Sequence, residues 1–341
     1  MANEAGSPAT VDVLIIGAGP TGLFAAFYAG FRGLSVAVMD SLPEPGGQIS
    51  AMYPEKEIFD IAGFPAIRGR ELVERLVQQA APFGPVYLFG QRAEGLERIP
   101  GGDGRNSFVV TSSEGLAVQA QSVIVTGGIG TFTPRPLPAA QVYEGQGLAY
   151  FVRRPADYTD SDVVILGGGD SALDWAQTLE PVARKVTLIH RRDTFRAHPA
   201  TVAAVAASDV DVVTNAQLRK VLGNGSIHAV EIASNDGAVW EVPCQRIIAA
   251  LGFTANLGPL LQWGFEIRNR RHIVVDSKMQ TTVPGIFAAG DINDYPGKVR
   301  LIVVGFGEAA TAVNNAAHYI DPEQQVFPGH STDATPTAIP A

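Results

Sequence analysis

The chain is poor in cysteine, in basic charge and in long hydrophobic runs, and each shortage removes a class of function. Of 341 residues only Cys244 is a cysteine, so neither an internal disulfide nor a dithiol redox pair can form, and a reducing, cytoplasmic compartment fits best. Six histidines, at 190, 198, 228, 272, 318 and 330, show no metal-ligand spacing, and no metal is expected. Lysine and arginine number 25 against 34 acidic residues, a net charge of −9. Nucleic-acid binders carry a basic surplus, so that class is set aside and only a local basic patch stays open. Residues 13–31 carry no charge, but Gly17, Gly19, Pro20 and Gly22 interrupt them, and Glu4 and Asp12 stand where an export signal would be positive. They read as a strand followed by a helix, with neither membrane insertion nor export.

What is there is apolar bulk and glycine. Hydrophobic residues make up 46% of the chain and charged residues 17%, enough for a large core, which excludes a disordered or fibrous protein. The length corresponds to about two domains at roughly 150 residues each. Glycine contributes 37 residues, against about 24 at the average usage of roughly 7%. The surplus points to tight turns or to backbone that approaches a ligand.

Part of that glycine falls in one unit used twice. Residues 11–16 form an apolar strand that runs into Gly17-Ala-Gly19-Pro-Thr21-Gly22 and then an apolar helix over 23–29. In such a turn the first glycine permits the bend, the second lets a pyrophosphate reach the backbone, and the third lets helix and strand pack. The helix N-terminus then binds the phosphates. A second strand over 35–39 ends in Asp40, 21 residues after Gly19, placed to bond a ribose hydroxyl pair. The unit recurs as a strand over 163–166, the turn Gly167-Gly-Gly169-Asp170-Ser171-Ala172, a helix to residue 179 and a strand over 185–189. Gly17 to Gly167 and Asp40 to His190 are both 150 residues apart. The expected fold is α/β, with two Rossmann-like dinucleotide-binding domains.

The copies differ where the ribose is read. The first has Asp40; the second has His190, Arg191 and Arg192, followed by Arg196. A carboxylate would repel a 2′-phosphate, whereas guanidinium groups pair with it bidentately. The second loop is therefore expected to take NADP(H), and the first an unphosphorylated adenosine such as that of FAD. A solvated basic loop is the plainer alternative for the arginines.

The order of the two loops, the Gly46-Gly-Gln48 turn, the segment 281–291 ending in Gly290-Asp291, and the run from His190 to Arg196 resemble the thioredoxin reductase class of two-dinucleotide flavoproteins. Within it, Gly47-Gln48 with Tyr53, the stretch 290–298 and the tail 327–332 resemble the thioredoxin-reductase-like ferredoxin/flavodoxin NADP reductases. The resemblance implies that Gly17, Gly19, Thr21, Gly22, Asp40, Gln48, Tyr53, Ala93, Phe132, Asp291 and Thr332 contact FAD. It also implies that Tyr53 and His330 sandwich the isoalloxazine, that Asp291 accepts from the ribityl chain, and that Ser331 lies near flavin N5. No general acid or base is assigned, and His198 and Cys244 read as structural. Where thioredoxin reductases carry a Cys-x-x-Cys pair, this chain has Tyr150 and Arg153. Electrons reaching the flavin must therefore leave directly to an external acceptor.

The resemblance further implies an NADP(H) domain over 133–255 inserted into an FAD domain formed by 1–132 and 256–341. The strands 123–127 and 246–251 would close the two segments, the proline-rich stretch 133–138 would link them, and a helix near 308–319 would return to the FAD domain. Two crossings form a natural hinge for rotation between the domains. The implied reaction is hydride transfer from NADPH to flavin N5 and one-electron delivery to ferredoxin or flavodoxin, in a homodimer. Docking an acidic carrier on a chain of charge −9 needs a local positive patch. Arg153 with Arg154, Arg268 with Arg270 and Arg271, and Lys298 with Arg300 are candidates. A quinone or dye reductase, a reductase of a partner's disulfide and a flavin redox sensor without turnover are the competing readings.

Overall fold

The computed structural model describes residues 9–152, 154–330 and 332. They divide into two compact units, the first made of the chain up to Phe132 and again from Ala255, the second of Thr133–Thr254.

The first unit opens with β1 (Ala9–Ile16), α1 (Pro20–Phe31), β2 (Val36–Asp40) and the short α2 (Gln48–Met52). A small hairpin of β3 (Glu57–Ile58) and β4 (Ile67–Arg68) leads into α3 (Gly69–Ala80), followed by β5 (Val86–Phe89), β6 (Ala93–Pro100), β7 (Asn106–Ser112) and β8 (Ala117–Val125). β1 pairs in parallel with β2 on one side and β8 on the other, with Val13 opposite Val36 and Ile16 opposite Val125. Such a strand is covered on both faces, which is why its sequence is an unbroken apolar run, with Leu14 and Ile15 fully buried. Pro20 opens α1, where its missing N–H would have no partner within the helix anyway.

The chain crosses to the second unit in β9 (Thr131–Pro134). There β10 (Leu148–Ala149), β11 (Asp162–Gly167), α4 (Asp170–Leu179), β12 (Lys185–Ile189), α5 (Pro199–Ala206) and β13 (Asp211–Val213) precede an antiparallel sheet of β14 (Ala216–Gly223), β15 (Ile227–Ser234) and β16 (Val239–Pro243). β17 (Arg246–Ala250) completes a parallel sheet of order β10-β17-β11-β12-β13, and β18 (Phe253–Asn256) leads back. Side chains alternate along β11. Val164 and Leu166 pack with Val221 and Ile232 of the antiparallel sheet, while Val163 and Ile165 pack with Leu173 of α4 and Val205 of α5. The proline-rich linker expected over 133–138 begins as strand: β9 pairs with β18 in a two-stranded ribbon. Pro134 ends that strand, and a ribbon of two strands has only edges, where a missing N–H is tolerated.

Back in the first unit come β19 (Ile267–Arg268), β20 (His272–Val274), β21 (Ile286–Ala288), β22 (Asn293–Asp294) and α6 (Ile302–Ile320). β8 is shared: its first half pairs antiparallel with β7, and Val123–Val125 pairs in parallel with β21. The carboxyl ends of β1, β8 and β21 therefore lie side by side, where ligands of open α/β sheets bind. α6 buries Ala309, Ala312, Val313 and Ala316, the spacing of one helix face. Among the described residues no helix is long and apolar enough to cross a membrane.

Cys244 lies between β16 and β17, buried with Val164, Ile232 and Ile247, and burial pushes its thiol up to about 12. A raised thiol carries almost no thiolate near neutrality, and thiolate is the reactive form. The folded protein is expected to leave Cys244 unmodified by a thiol reagent at about pH 8, while unfolding releases one reactive thiol. Rapid labelling of the folded chain would show the thiol to be accessible.

Candidate functional site

The three strand ends meet at a cleft of about 1230 Å³, its solvent-open mouth included. Its floor is the first glycine turn. A Cβ on Gly22 would come within 1.8 Å of the Gly17 carbonyl, whereas one on Gly19 would meet nothing within 4 Å, so Gly19 presents bare backbone to open space. α1 starts there with no side-chain cap and no acid in its first turn. Its first N–H groups and the positive end of its dipole are thus available to an anion. Two residues hold the turn in place. Thr126, at the end of β8, donates from its hydroxyl to the Gly17 carbonyl at 2.8 Å. Asp40 accepts from the N–H of Ala18 at 2.6 Å and of Leu42 at 2.8 Å. Burial raises the Asp40 carboxyl above its ordinary range, and these two N–H groups oppose the rise by favouring the carboxylate.

The remaining walls come from Gln48 and Tyr53 at either end of α2, Ala93 at the start of β6, Asp291 after β21, and Leu301 and Ile302 at the start of α6. Burial raises the Tyr53 phenol, with Asp291 and Asp60 adding to the rise. Tyr53 thus offers a neutral ring to the cleft. An uncapped helix end, a glycine open to solvent, a carboxylate at the end of β2 and an aromatic wall fit a dinucleotide carrying a flat ring system.

Asp291 is positioned by a buried ion pair. Glu308 of α6 and Lys298 have side chains only 4% and 2% exposed and are in direct contact. Glu308 also accepts from the Gly290 N–H at 2.7 Å, from Asn293 Nδ2 at 3.1 Å and from the Tyr295 hydroxyl at 2.7 Å. Lys298 donates to the Gly290 carbonyl at 3.0 Å. Both peptide groups of the residue before Asp291 are therefore gripped by opposite charges. Burial, followed by the bond to Glu308, pushes the Tyr295 phenol up to about 12, so it remains a donor.

The C-terminal tail is pinned from outside the cleft. Arg105 donates to the Tyr319 and Ile320 carbonyls at 2.9 and 2.8 Å, and Arg32 donates to Asn314, Gln324 and Gln325. Beyond these pins His330 packs edge-on against Phe327 at 5.2 Å and is not among the cleft-lining residues. Thr332 is exposed and also outside the lining. Ser331 and the Phe132 side chain lie outside the described residues.

In the second unit Gly167 ends β11, Gly169 precedes α4, and that helix too starts without a side-chain cap. Gly169 is open, like Gly19. Ser171 is exposed, and Ala172 is buried against Gly167. Arg191, Arg192 and Arg196 are exposed, and the Arg196 N–H folds the segment back onto the Gly168 carbonyl at 2.7 Å. His190 stacks on Phe195 at 5.2 Å and lies where a Cβ on Gly168 would be, 2.1 Å from its ring. Burial lowers the His190 pKa, and Arg192 and Arg191 add to this, so the positive charge here belongs to the arginines. Asp170 accepts from the His198 N–H at 2.9 Å, and His198 caps α5 by accepting from Ala200. Asp170 thus joins two helix starts.

The docking candidates separate. Lys298 is removed from any surface patch by its burial against Glu308. Arg153 lies outside the described residues, and Arg154 pairs with Asp157 at 3.2 Å. Arg268, Arg270, Arg271 and Arg300 are exposed. The sequence reading missed Thr126, Lys298 as a buried group, and Glu308. The signal for Glu308 was present: it is the one acid in α6. Replacing Lys298 by Met leaves Glu308 an uncompensated buried charge and is expected to cost about 3–5 kcal/mol in urea unfolding. Adding Glu308→Gln should restore most of the loss, and a single variant as stable as the wild type would reduce the pair to an ordinary surface contact.

The pyridine nucleotide-disulphide oxidoreductase family model matches residues 11–316. A ferredoxin–NADP reductase of Salinispora arenicola is 61% identical over 325 residues, covering 95% of this chain and 99% of its own. One of Thermus thermophilus is 48% identical over 331 residues, covering 94% and 96%. Among solved structures, the thioredoxin reductase of T. acidophilum matches with a TM-score of 0.73 at 26% identity, covering 92% of this chain and 99% of its own. With its two glycine turns, each at the end of a parallel strand, and these likenesses, the chain belongs to the pyridine nucleotide-disulphide oxidoreductase family.

Proposed function

We propose that this chain is a ferredoxin–NADP reductase that uses FAD. The observation that carries the reading is the pair of matching glycine turns whose second strands end in opposite charge, Asp40 in one and the His190–Arg192 run in the other. The relatives' name supplies ferredoxin as the acceptor. When bound, FAD and NADP(H) supply the redox chemistry, a hydride exchanged between nicotinamide and flavin and electrons released singly.

The chain's residues bind and orient. The start of α1 and bare Gly19 take the pyrophosphate of FAD, and Asp40 accepts from the ribose. Tyr53 offers its neutral ring as a stacking face, and Asp291, held through Gly290, accepts from the flavin side chain. Arg191, Arg192 and Arg196 pair with the 2′-phosphate of NADP(H), while His190 packs the loop. No residue is assigned a proton-transfer role. Residues 133–255 are thereby the NADP(H) domain, and 1–132 with 256–341 the FAD domain. The proposal extends to flavodoxin as an alternative carrier, a homodimer and a cytoplasmic setting, with His330 and Ser331 of the tail covering the flavin.

Stopped-flow reduction by NADPH and NADH, followed by reoxidation with ferredoxin, tests the reading. Wild-type protein is expected to prefer NADPH. Arg191→Ala with Arg192→Ala should lose about 10–100-fold in efficiency with NADPH and little with NADH, the scale of one or two charge-assisted hydrogen bonds. A wild-type preference for NADH, or no electron transfer to ferredoxin, would overturn it.

A further inference from the structure

Resting on that proposed function, we infer that the hairpin of β19 and β20, together with Val299–Leu301, is the docking surface for an acidic iron–sulphur carrier of the ferredoxin type. The chain as a whole is acidic, at −9. Yet Arg268 and Arg300 are gathered by pairing, and Arg270 and Arg271 follow Arg268 at the tip of the same hairpin. Arg268 is opposite His272 in the hairpin, and β20 runs parallel to β22 with Val274 opposite Asp294. Asp294 then draws in Arg268 at 2.6 Å and Arg300 at 3.5 Å, joining two chain segments into one basic island.

The island borders the cleft. β22 begins two residues after Asp291, and Leu301, next to Arg300, lines the cleft itself. His272 is half-buried in the hairpin, and burial lowers its pKa, with Arg300 and Arg271 adding to the fall and Asp294 and Asp291 opposing it. Val299 and Leu301 are 52% and 40% exposed, so the basic groups accompany an exposed apolar pair. Steering charges around a small apolar contact beside a redox site suit a brief electron-transfer encounter.

The hairpin tip adds an independent mark. Asn269 and Arg270 both adopt left-handed backbone, with φ of 52° and 57°. Asparagine tolerates this conformation, but arginine is held there at a cost of about 1–2 kcal/mol that glycine would avoid. The turn therefore presents the exposed Arg270 where glycine would fit without strain.

The test compares wild-type protein with Arg270→Glu/Arg271→Glu and the milder Arg270→Gln/Arg271→Gln, all with FAD bound. NADPH-driven reduction of a purified acidic ferredoxin is measured across a salt series, and reduction of menadione, a small uncharged acceptor, is measured alongside. The expected result is a kcat/KM for ferredoxin that falls steeply with salt in the wild type. The Glu variant should lose about tenfold or more at low salt and show a flattened salt response, with the Gln variant between. Menadione reduction should stay within about twofold, since it carries no charge and neither arginine lines the cleft. Unchanged ferredoxin kinetics in both variants would overturn the surface while leaving the function intact. Parallel loss with menadione, or a change of oligomeric state with ferredoxin kinetics preserved, would also overturn it. Wild-type protein that cannot reduce ferredoxin at all would instead bring down the proposed function on which the surface rests.

Discussion

The contact between Glu308 and Lys298 is the constraint on which the cleft depends. Two opposite charges taken out of water are expensive unless each finds further partners, and here every partner belongs to the loop that carries Asp291. Glu308 takes the Gly290 N–H, Asn293 and Tyr295, and Lys298 takes the Gly290 carbonyl. The pair thereby converts a flexible loop after β21 into a fixed edge, referenced to α6. Because Ile302 of α6 and Leu301 just before it also line the cleft, one helix sets both the acidic and the apolar part of that wall. An apolar pair of similar volume could fill the space, but it could not orient the two peptide groups beside Asp291.

The same logic explains why two glycine turns can be so alike and yet serve different ligands. Each turn is built from strand ends and an uncapped helix start, features that recognise phosphate and nothing finer. Discrimination is left to the next strand. After β2, Asp40 is held by Ala18 and Leu42 and keeps a negative group at the turn. After β12, His190 is consumed by packing over Gly168, which pushes the charge outward to Arg191 and Arg192. Reading specificity therefore requires separating the residue that shapes the loop from those that present charge.

What could be read in the sequence was whatever repeats at fixed spacing. The strand–glycine–helix units were legible because each glycine answers a local steric demand. The α6 helix was half legible: Gly305 and Gly307 hide its first turns, since glycine lowers helix propensity, whereas the alanine-rich remainder is periodic. The antiparallel sheet of β14–β16 went unread, having no motif to mark it. Lys298 was misassigned for a physical reason. A lysine beside Arg300 looks like surface charge, and only the packing of α6 against the loop brings it to Glu308, ten residues on. The tail shows another limit, because the pins made by Arg32 and Arg105 are side-chain contacts over more than 200 residues that no local pattern announces.

The lone cysteine then acquires a mechanistic meaning that composition could not give it. Its burial in the second unit and raised thiol remove it from any electron path, and Tyr150, one of the positions where the resembled class keeps a thiol pair, packs against the core of the second unit. With no thiol relay in the chain, the proposed function leaves one exit for electrons, the open side of the cleft in the first unit. That restriction gives the cleft's rim a task beyond holding a ligand. It must also meet a protein, and it must do so briefly, since a carrier that stays bound blocks the next. Exposed guanidiniums suit that demand, because charge steers the approach over a distance of about one Debye length, roughly 8 Å at physiological salt, while adding little to the lifetime of the complex.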